Sequence, residues 1–124
     1  MKALVIDDSR AMRAILRKIL RGIGVDVTEA EHGRAALEVL AGAASFDLAL
    51  VDWNMPEMDG LQVVKAIRAN HRLDEMRVMM VTTETEMGQV LRAIEAGASE
   101  YLMKPFNEAA VVEKLAILGL LETG

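Results

Sequence analysis

Short apolar runs of β-forming residues alternate along this chain with segments whose apolar residues recur at helical spacing, and the pair repeats five times. The runs are "ALVI" (3–6), "VDVTEA" (25–30), "FDLALV" (46–51), "RVMMVT" (77–82) and "EYLM" (100–103). Between them, Met12, Ile15, Leu16, Ile19, Leu20 and Ile23 trace a first helical face, with Ser9 or Asp8 as N-cap and Gly22 and Gly24 at its end. Ala36, Leu37 and Leu40 mark a weaker second helix over 33–42, and Leu61, Val64 and Ile67 a third over 60–70. Met87, Val90, Leu91 and Ile94 mark a fourth, closed by Gly97, and residues 108–121 form a last one. Strands that alternate with helices predict a parallel sheet covered on both faces. Right-handed crossovers leave few ways to connect it. The uninterrupted apolar runs 3–6 and 78–81 suit strands buried on both sides. The expectation is an α/β domain, a doubly wound, five-stranded (βα)5 unit spanning residues 1–124.

No linker, low-complexity run or second domain interrupts the pattern. A chain of 124 residues buries roughly two-thirds of its unfolded surface, enough for a core without staples. The absence of cysteine excludes disulfides and thiolate metal sites. The opening "MKALVIDDSR" meets two acids after four apolar residues, too short a run for a signal peptide or a membrane span. A soluble, cytoplasmic protein without membrane insertion is expected. The net charge of −5 argues against a nucleic-acid surface and aids solubility.

In a doubly wound sheet, ligands bind outside the carboxyl ends of the strands. The first strand here ends in Asp7-Asp8, the third in Asp52, the fourth in Thr82-Thr83, and the fifth runs into Lys104-Pro105. Taken singly, each acid is an ordinary helix cap, Thr82 a β-branched strand residue and Lys104 a solvated loop lysine. The constellation is harder to assign to caps. Three carboxylates at one rim repel each other and raise at least one pKa unless a cation intervenes. Lys104 supplies one charge, and a divalent ion would supply two. Carboxylates, a backbone carbonyl and water form the hard oxygen set that suits Mg²⁺. His32 and His71 lie far apart and do not suggest a transition-metal site. A pocket of acids, Mg²⁺, Lys and Thr suits phosphoryl transfer, where catalysis is positioning plus charge neutralisation. An aspartate can be the nucleophile and become an acyl phosphate. Asp52, alone at the end of its strand, is the best placed. Asp7 and Asp8 would hold the metal, and Thr82 and Lys104 would contact the phosphoryl oxygens.

These residues resemble the receiver domain of bacterial response regulators, and most of all the stand-alone, CheY-like chemotaxis regulators. The resemblance rests on "VIDDS" (5–9), "VDWNMPEMDG" (51–60), "MMVTTE" (79–84) and "AGASEYLMKPF" (96–106), in order and spacing, and covers about residues 2 to 120. It implies the flavodoxin-like strand order 2-1-3-4-5. It implies that Asp52 accepts a phosphoryl group from a histidine kinase, in a two-component system. It implies Mg²⁺ on Asp8, Asp52 and the Asn54 carbonyl, with Asp7 acting through water, and a cis Lys104–Pro105 bond. Tyr101 matches the family's switch aromatic, although from residues alone it is an ordinary strand aromatic. Asn54 and Glu84 occupy rate-tuning positions, while Thr83 departs from the small residue common there and would narrow access to the phosphoryl group. Such a chain is a signalling protein that catalyses only its own phosphorylation and dephosphorylation.

With Gly124 taken as the natural end, no effector domain is expected and output is expected through a partner. The family uses the face made by helix 4, strand 5 and helix 5, and a phosphatase is a further partner to expect. In "VVEKLAILGLL" (111–121), Val111, Val112 and Leu115 suit packing on the sheet. Ile117, Leu118, Leu120 and Leu121 cannot all be buried by one helix face. They suit either a partner site or a tail that frays or packs more deeply. Met55 and Met58, two of nine methionines, read as an adaptable kinase-docking surface or as packing filler. Other readings are a stand-alone receiver outside chemotaxis or a phosphorelay intermediate. An aspartyl phosphohydrolase of the haloacid-dehalogenase type would place a second acid where Asn54 stands, and would carry a cap insertion. A flavin-binding protein would need a Ser/Thr/Gly-rich loop where "DDSRA" stands.

Overall fold

A computed structural model describes residues 1–121. Five strands, β1 (Lys2–Ile6), β2 (Asp26–Ala30), β3 (Leu48–Asp52), β4 (Arg77–Thr82) and β5 (Glu100–Met103), alternate with five helices, α1 (Arg10–Gly22), α2 (Gly33–Leu40), α3 (Gly60–Ala69), α4 (Val90–Ala96) and α5 (Glu108–Ile117). All strand pairs are parallel, in the order β2-β1-β3-β4-β5. This is the doubly wound sheet the alternation predicts, in the order the resemblance implies. Residues 122–124 of the expected span lie outside the described residues. Among the described residues no helix is long and apolar enough to cross a membrane.

The period of two along each strand divides the core. Leu4, Ile6, Ala49, Val51, Val78 and Met80 face one side, where they meet Ala36 and Leu40 of α2, Val63, Val64 and Ile67 of α3, and Ala93 of α4. Ala3, Val5, Leu48, Leu50, Met79 and Val81 face the other, against Leu16 and Leu20 of α1 and Val111 and Leu115 of α5. Burial on both faces is why these strands read as unbroken apolar runs. Helix starts are set locally. Ser9, not Asp8, caps α1, its hydroxyl accepting from the Met12 N–H. Asp59 and Gln62 form a reciprocal capping box on α3, and Asn107 caps α5.

Helices α2 and α3 end within two residues of the expected bounds, and two other helices differ more. Residues Glu84–Gln89 form a 3₁₀ segment before α4 begins at Val90. The last helix stops at Ile117, four residues short of the expected end, because Gly119 turns the chain with φ +75°. The turn lays Leu118, Leu120 and Leu121 against the α1/α5 core, leaving Ile117 exposed. Thus no single helix face has to bury them all. Met55 is buried and Met58 packs on the core, so both act as filler.

Arg68 ties distant segments together. Its guanidinium donates to the carbonyls of Gly97 (2.9 Å), Leu73 (3.1 Å) and Met76 (2.8 Å). Its stem also fills the space that a side chain at Gly97 would need, where φ is +119°. Arg68→Ala should lower stability by about 2–4 kcal/mol, since three carbonyls lose the guanidinium, although that of Leu73 keeps the Met76 N–H. Urea unfolding measures it. Arg68→Lys should recover only part, because one ammonium cannot serve a fork of acceptors.

Candidate functional site

The strand alternation that builds the core also assembles the site. The register that sends Ala3 and Val5, Leu48 and Leu50, and Leu102 to the α1/α5 face sends Asp52, the last residue of β3, there too, and with it Asp7 and Lys104, one step past β1 and β5. Asp7, Asp8 and Asp52 each place a carboxylate oxygen within 4.8 Å of the others. The Lys104 Nζ donates to Asp52 Oδ1 at 2.9 Å. Lys104 gets there because its backbone N–H continues the sheet, donating to the Thr82 carbonyl at 2.7 Å; the Lys104–Pro105 bond is cis, as the resemblance implies.

Thr82 belongs to the opposite register, with Val78 and Met80. It is fully buried, and its hydroxyl donates to the Thr83 carbonyl (3.2 Å), with the Glu86 carboxylate 3.5 Å away. So the structure groups Asp7, Asp8, Asp52 and Lys104, and seats Thr82 on the same rim with its hydroxyl engaged elsewhere. Asn54 is exposed on the β3–α3 loop, two residues past Asp52. That loop closes tightly at Glu57, where the Met58 N–H reaches the Pro56 carbonyl (2.7 Å) and φ is +66°. Tyr101 is partly exposed in β5, with Lys114 Nζ 4.0 Å from its ring centre.

Electrostatics follow from burial. Asp7 is 1% exposed, and loss of water pushes its carboxyl up to about 6, against the Ser9 N–H that favours the charged form. Asp52 and Asp8 add smaller repulsions, and Lys104 a smaller relief. Burial also raises Asp52, outweighing its hydrogen bond and ion pair with Lys104. Sequence reasoning placed the cause in mutual repulsion, but desolvation is the larger effect. Asp7 Oδ2 is the one buried side-chain polar atom among the described residues without a hydrogen-bond partner. A carboxylate oxygen so placed, beside two others, is what a hard cation would take.

Supporting contacts escaped the sequence reading. The Arg13 guanidinium donates to the Asp7 carbonyl (2.6 Å) and to Glu29 (3.2 Å), and Arg17 also donates to Glu29 (2.6 Å). Burial pushes the Glu29 carboxyl up, but Arg17 and Arg13 outweigh it and hold it below the usual range. These arginines line a cleft of about 680 Å³ beside α1. No local pattern announces them, because the partners are 16 and 12 residues apart. Glu86 carried a legible signal in the Thr-x-x-Glu spacing of a capping box, formed here with Thr83.

The comparisons with known proteins agree with this geometry. The chain belongs to the family described as the response regulator receiver domain, whose sequence profile matches residues 3–116. Within that family it is similar to the chemotaxis protein CheY1 of Helicobacter pylori, 44% identical over 95% of this chain and 96% of that one. It is also similar to the chemotaxis protein CheY of Pseudomonas aeruginosa, 40% identical over 93% of each. The structure superposes on the chemotaxis protein CheY4 of Vibrio cholerae with a TM-score of 0.86, at 34% identity over 94% of this chain and 96% of that one. The chain is accordingly a signalling protein.

Proposed function

We propose that this chain is a single receiver domain, cytoplasmic, acting in a two-component system that serves chemotaxis, with Asp52 as its phosphoryl acceptor. The observation that carries the reading is the Asp7–Asp8–Asp52 cluster with Lys104 on Asp52 at 2.9 Å. An Asp52 carboxylate oxygen attacks the phosphorus of a kinase phosphohistidine. The new P–O bond forms as the P–N bond breaks, and the imidazole leaves with a proton. Lys104 then turns its charge to a phosphoryl oxygen, and Thr82 donates to another once its hydroxyl leaves the Thr83 carbonyl. Asp7, Asp8, Asp52 and the Asn54 carbonyl would hold Mg²⁺, and the orphaned Asp7 Oδ2 supports that set. Bound there, the ion supplies two positive charges against the phosphoryl oxygens.

Phosphorylation adds charge and strong acceptors, which biases a two-state equilibrium in the protein. Movement of Thr82 would be felt by Tyr101 on the neighbouring strand. Leu91 (66% exposed), Ile94, Met103 and Ile117 give the α4/β5/α5 face an apolar character that suits a downstream protein target. Similarity to chemotaxis proteins supports that pathway over another stand-alone or relay role.

Incubation with acetyl phosphate and Mg²⁺ tests the reading. The intact protein should gain one phosphoryl group by mass, with acetate released, and Asp52→Asn should gain none. Rapid turnover of many phosphate esters, or an adduct that persists in Asp52→Asn, would sink it.

A further inference from the structure

We propose that Glu86 is a positioning residue that restrains phosphoryl acceptance, by holding the Thr82–Thr83 segment and by placing a negative charge without an ion-pair partner beside the Thr82 hydroxyl. The inference rests on the reading of Asp52 as the phosphoryl acceptor. Glu86 Oε1 accepts from the Thr83 N–H at 2.9 Å and stands 3.5 Å from the Thr82 hydroxyl. Thr82 is fully buried, so its hydroxyl has no water to turn to. Before it can serve a phosphoryl oxygen, it must give up the Thr83 carbonyl and the Glu86 carboxylate.

The charge works in the same direction. Asp7 and Asp8 reach Asp52 from the β1 side of β3, whereas Glu86 arrives from the β4 side. A cation at the Asp7–Asp8–Asp52 cluster would offset the charge there and leave that of Glu86 standing. Among the described residues Glu86 forms no ion pair. Its carboxylate stands 3.5 Å from the hydroxyl that would serve a phosphoryl oxygen, which puts the charge close to where that group would sit. An incoming phosphoryl group brings further negative charge to the place where Glu86 already repels it.

A helix-capping role alone makes a different prediction. Glutamine at this position keeps an oxygen for the Thr83 N–H and loses only the charge. If Glu86 were merely a cap, E86Q would behave as wild type. The test follows the rate of Asp52 phosphorylation by acetyl phosphate with Mg²⁺, in which the Asp52 oxygen bonds phosphorus and acetate leaves. At low ionic strength E86Q should react ~3- to 10-fold faster than wild type, with the gap narrowing as salt is added. E86A, which also frees Thr82 and Thr83, should react at least as fast and unfold at a lower temperature. Equal or slower phosphorylation of E86Q, with wild type phosphorylated normally, overturns the inference. A wild type that forms no Asp52 adduct overturns the acceptor reading instead, and the inference with it.

Discussion

Asp7→Asn is expected to make the metal-free protein more stable than wild type near neutral pH, and to remove its response to Mg²⁺. Asp7 is buried, and its carboxyl sits at about 6 against an ordinary 3.8. Two units at about 1.4 kcal/mol each make the charged form cost roughly 3 kcal/mol in the folded state. The asparagine NH₂ would inherit the place of the unpartnered Oδ2, which returns about 1 kcal/mol. A net gain of about 2 kcal/mol remains. The pH dependence has a definite sign. Between 3.8 and about 6 the folded protein binds a proton that the unfolded chain does not. Wild-type stability from this group therefore rises as pH falls through about 6, and Asp7→Asn lacks that rise. Asp52, also raised, acts in the same direction in both proteins, and Glu29 the opposite way, so the difference between wild type and variant reads Asp7. Urea unfolding in EDTA, from about pH 7.5 to about pH 5, reads the difference. With Mg²⁺ added, wild type should be stabilised by mass action and Asp7→Asn should not. A variant less stable than wild type at every pH would contradict the account.

Gly60→Ala is the second large effect, and it joins packing to chemistry. A Cβ there would lie 2.7 Å from the Asp52 carbonyl oxygen, 2.7 Å from Met80 Cε and 2.9 Å from Trp53 Cα. Met80 can swing aside, but the other two atoms are backbone at the end of β3. Relief must displace the strand that carries Asp52. Overpacking of this kind costs about 1–3 kcal/mol. Because a shift near 1 Å in a reacting group can cost a hundredfold, phosphorylation should slow by roughly 10- to 100-fold. Gly33→Ala is a useful contrast, since the atoms nearest the added carbon belong to the Met58 and Val63 side chains. It should cost stability with little effect on the Asp52 rate. Gly88→Ala, with nothing within 4 Å, should alter neither. Equal phosphorylation rates for Gly60→Ala and Gly88→Ala would show that the close approach at Asp52 has no bearing on the site.

The parts of this protein that its sequence determined alone are those whose cause is local or periodic. Strands buried on both faces must be apolar throughout, so β1 and β4 announce themselves. Helix caps are decided within four residues, so Ser9, Asp59 and Asn107 could be read or inferred from neighbours. The acids, Thr82 and Lys104 stand at strand ends, and a parallel sheet sends all its strand ends to one rim. Tertiary structure decided the rest, because the partners are far apart in sequence. The end of α5 was set by Gly119, which lets Leu118, Leu120 and Leu121 reach the α1/α5 core. Arg68 finds its acceptors up to 29 residues away, and Arg13 its Glu29 across 16. The engagement of the Thr82 hydroxyl depends on which face of β4 it occupies and on the 3₁₀ segment that brings Glu86 back to it. Periodicity reveals that a residue ends a strand, but only the packed neighbours determine where its hydroxyl hydrogen-bonds, how far its carboxyl is desolvated and which charges it feels.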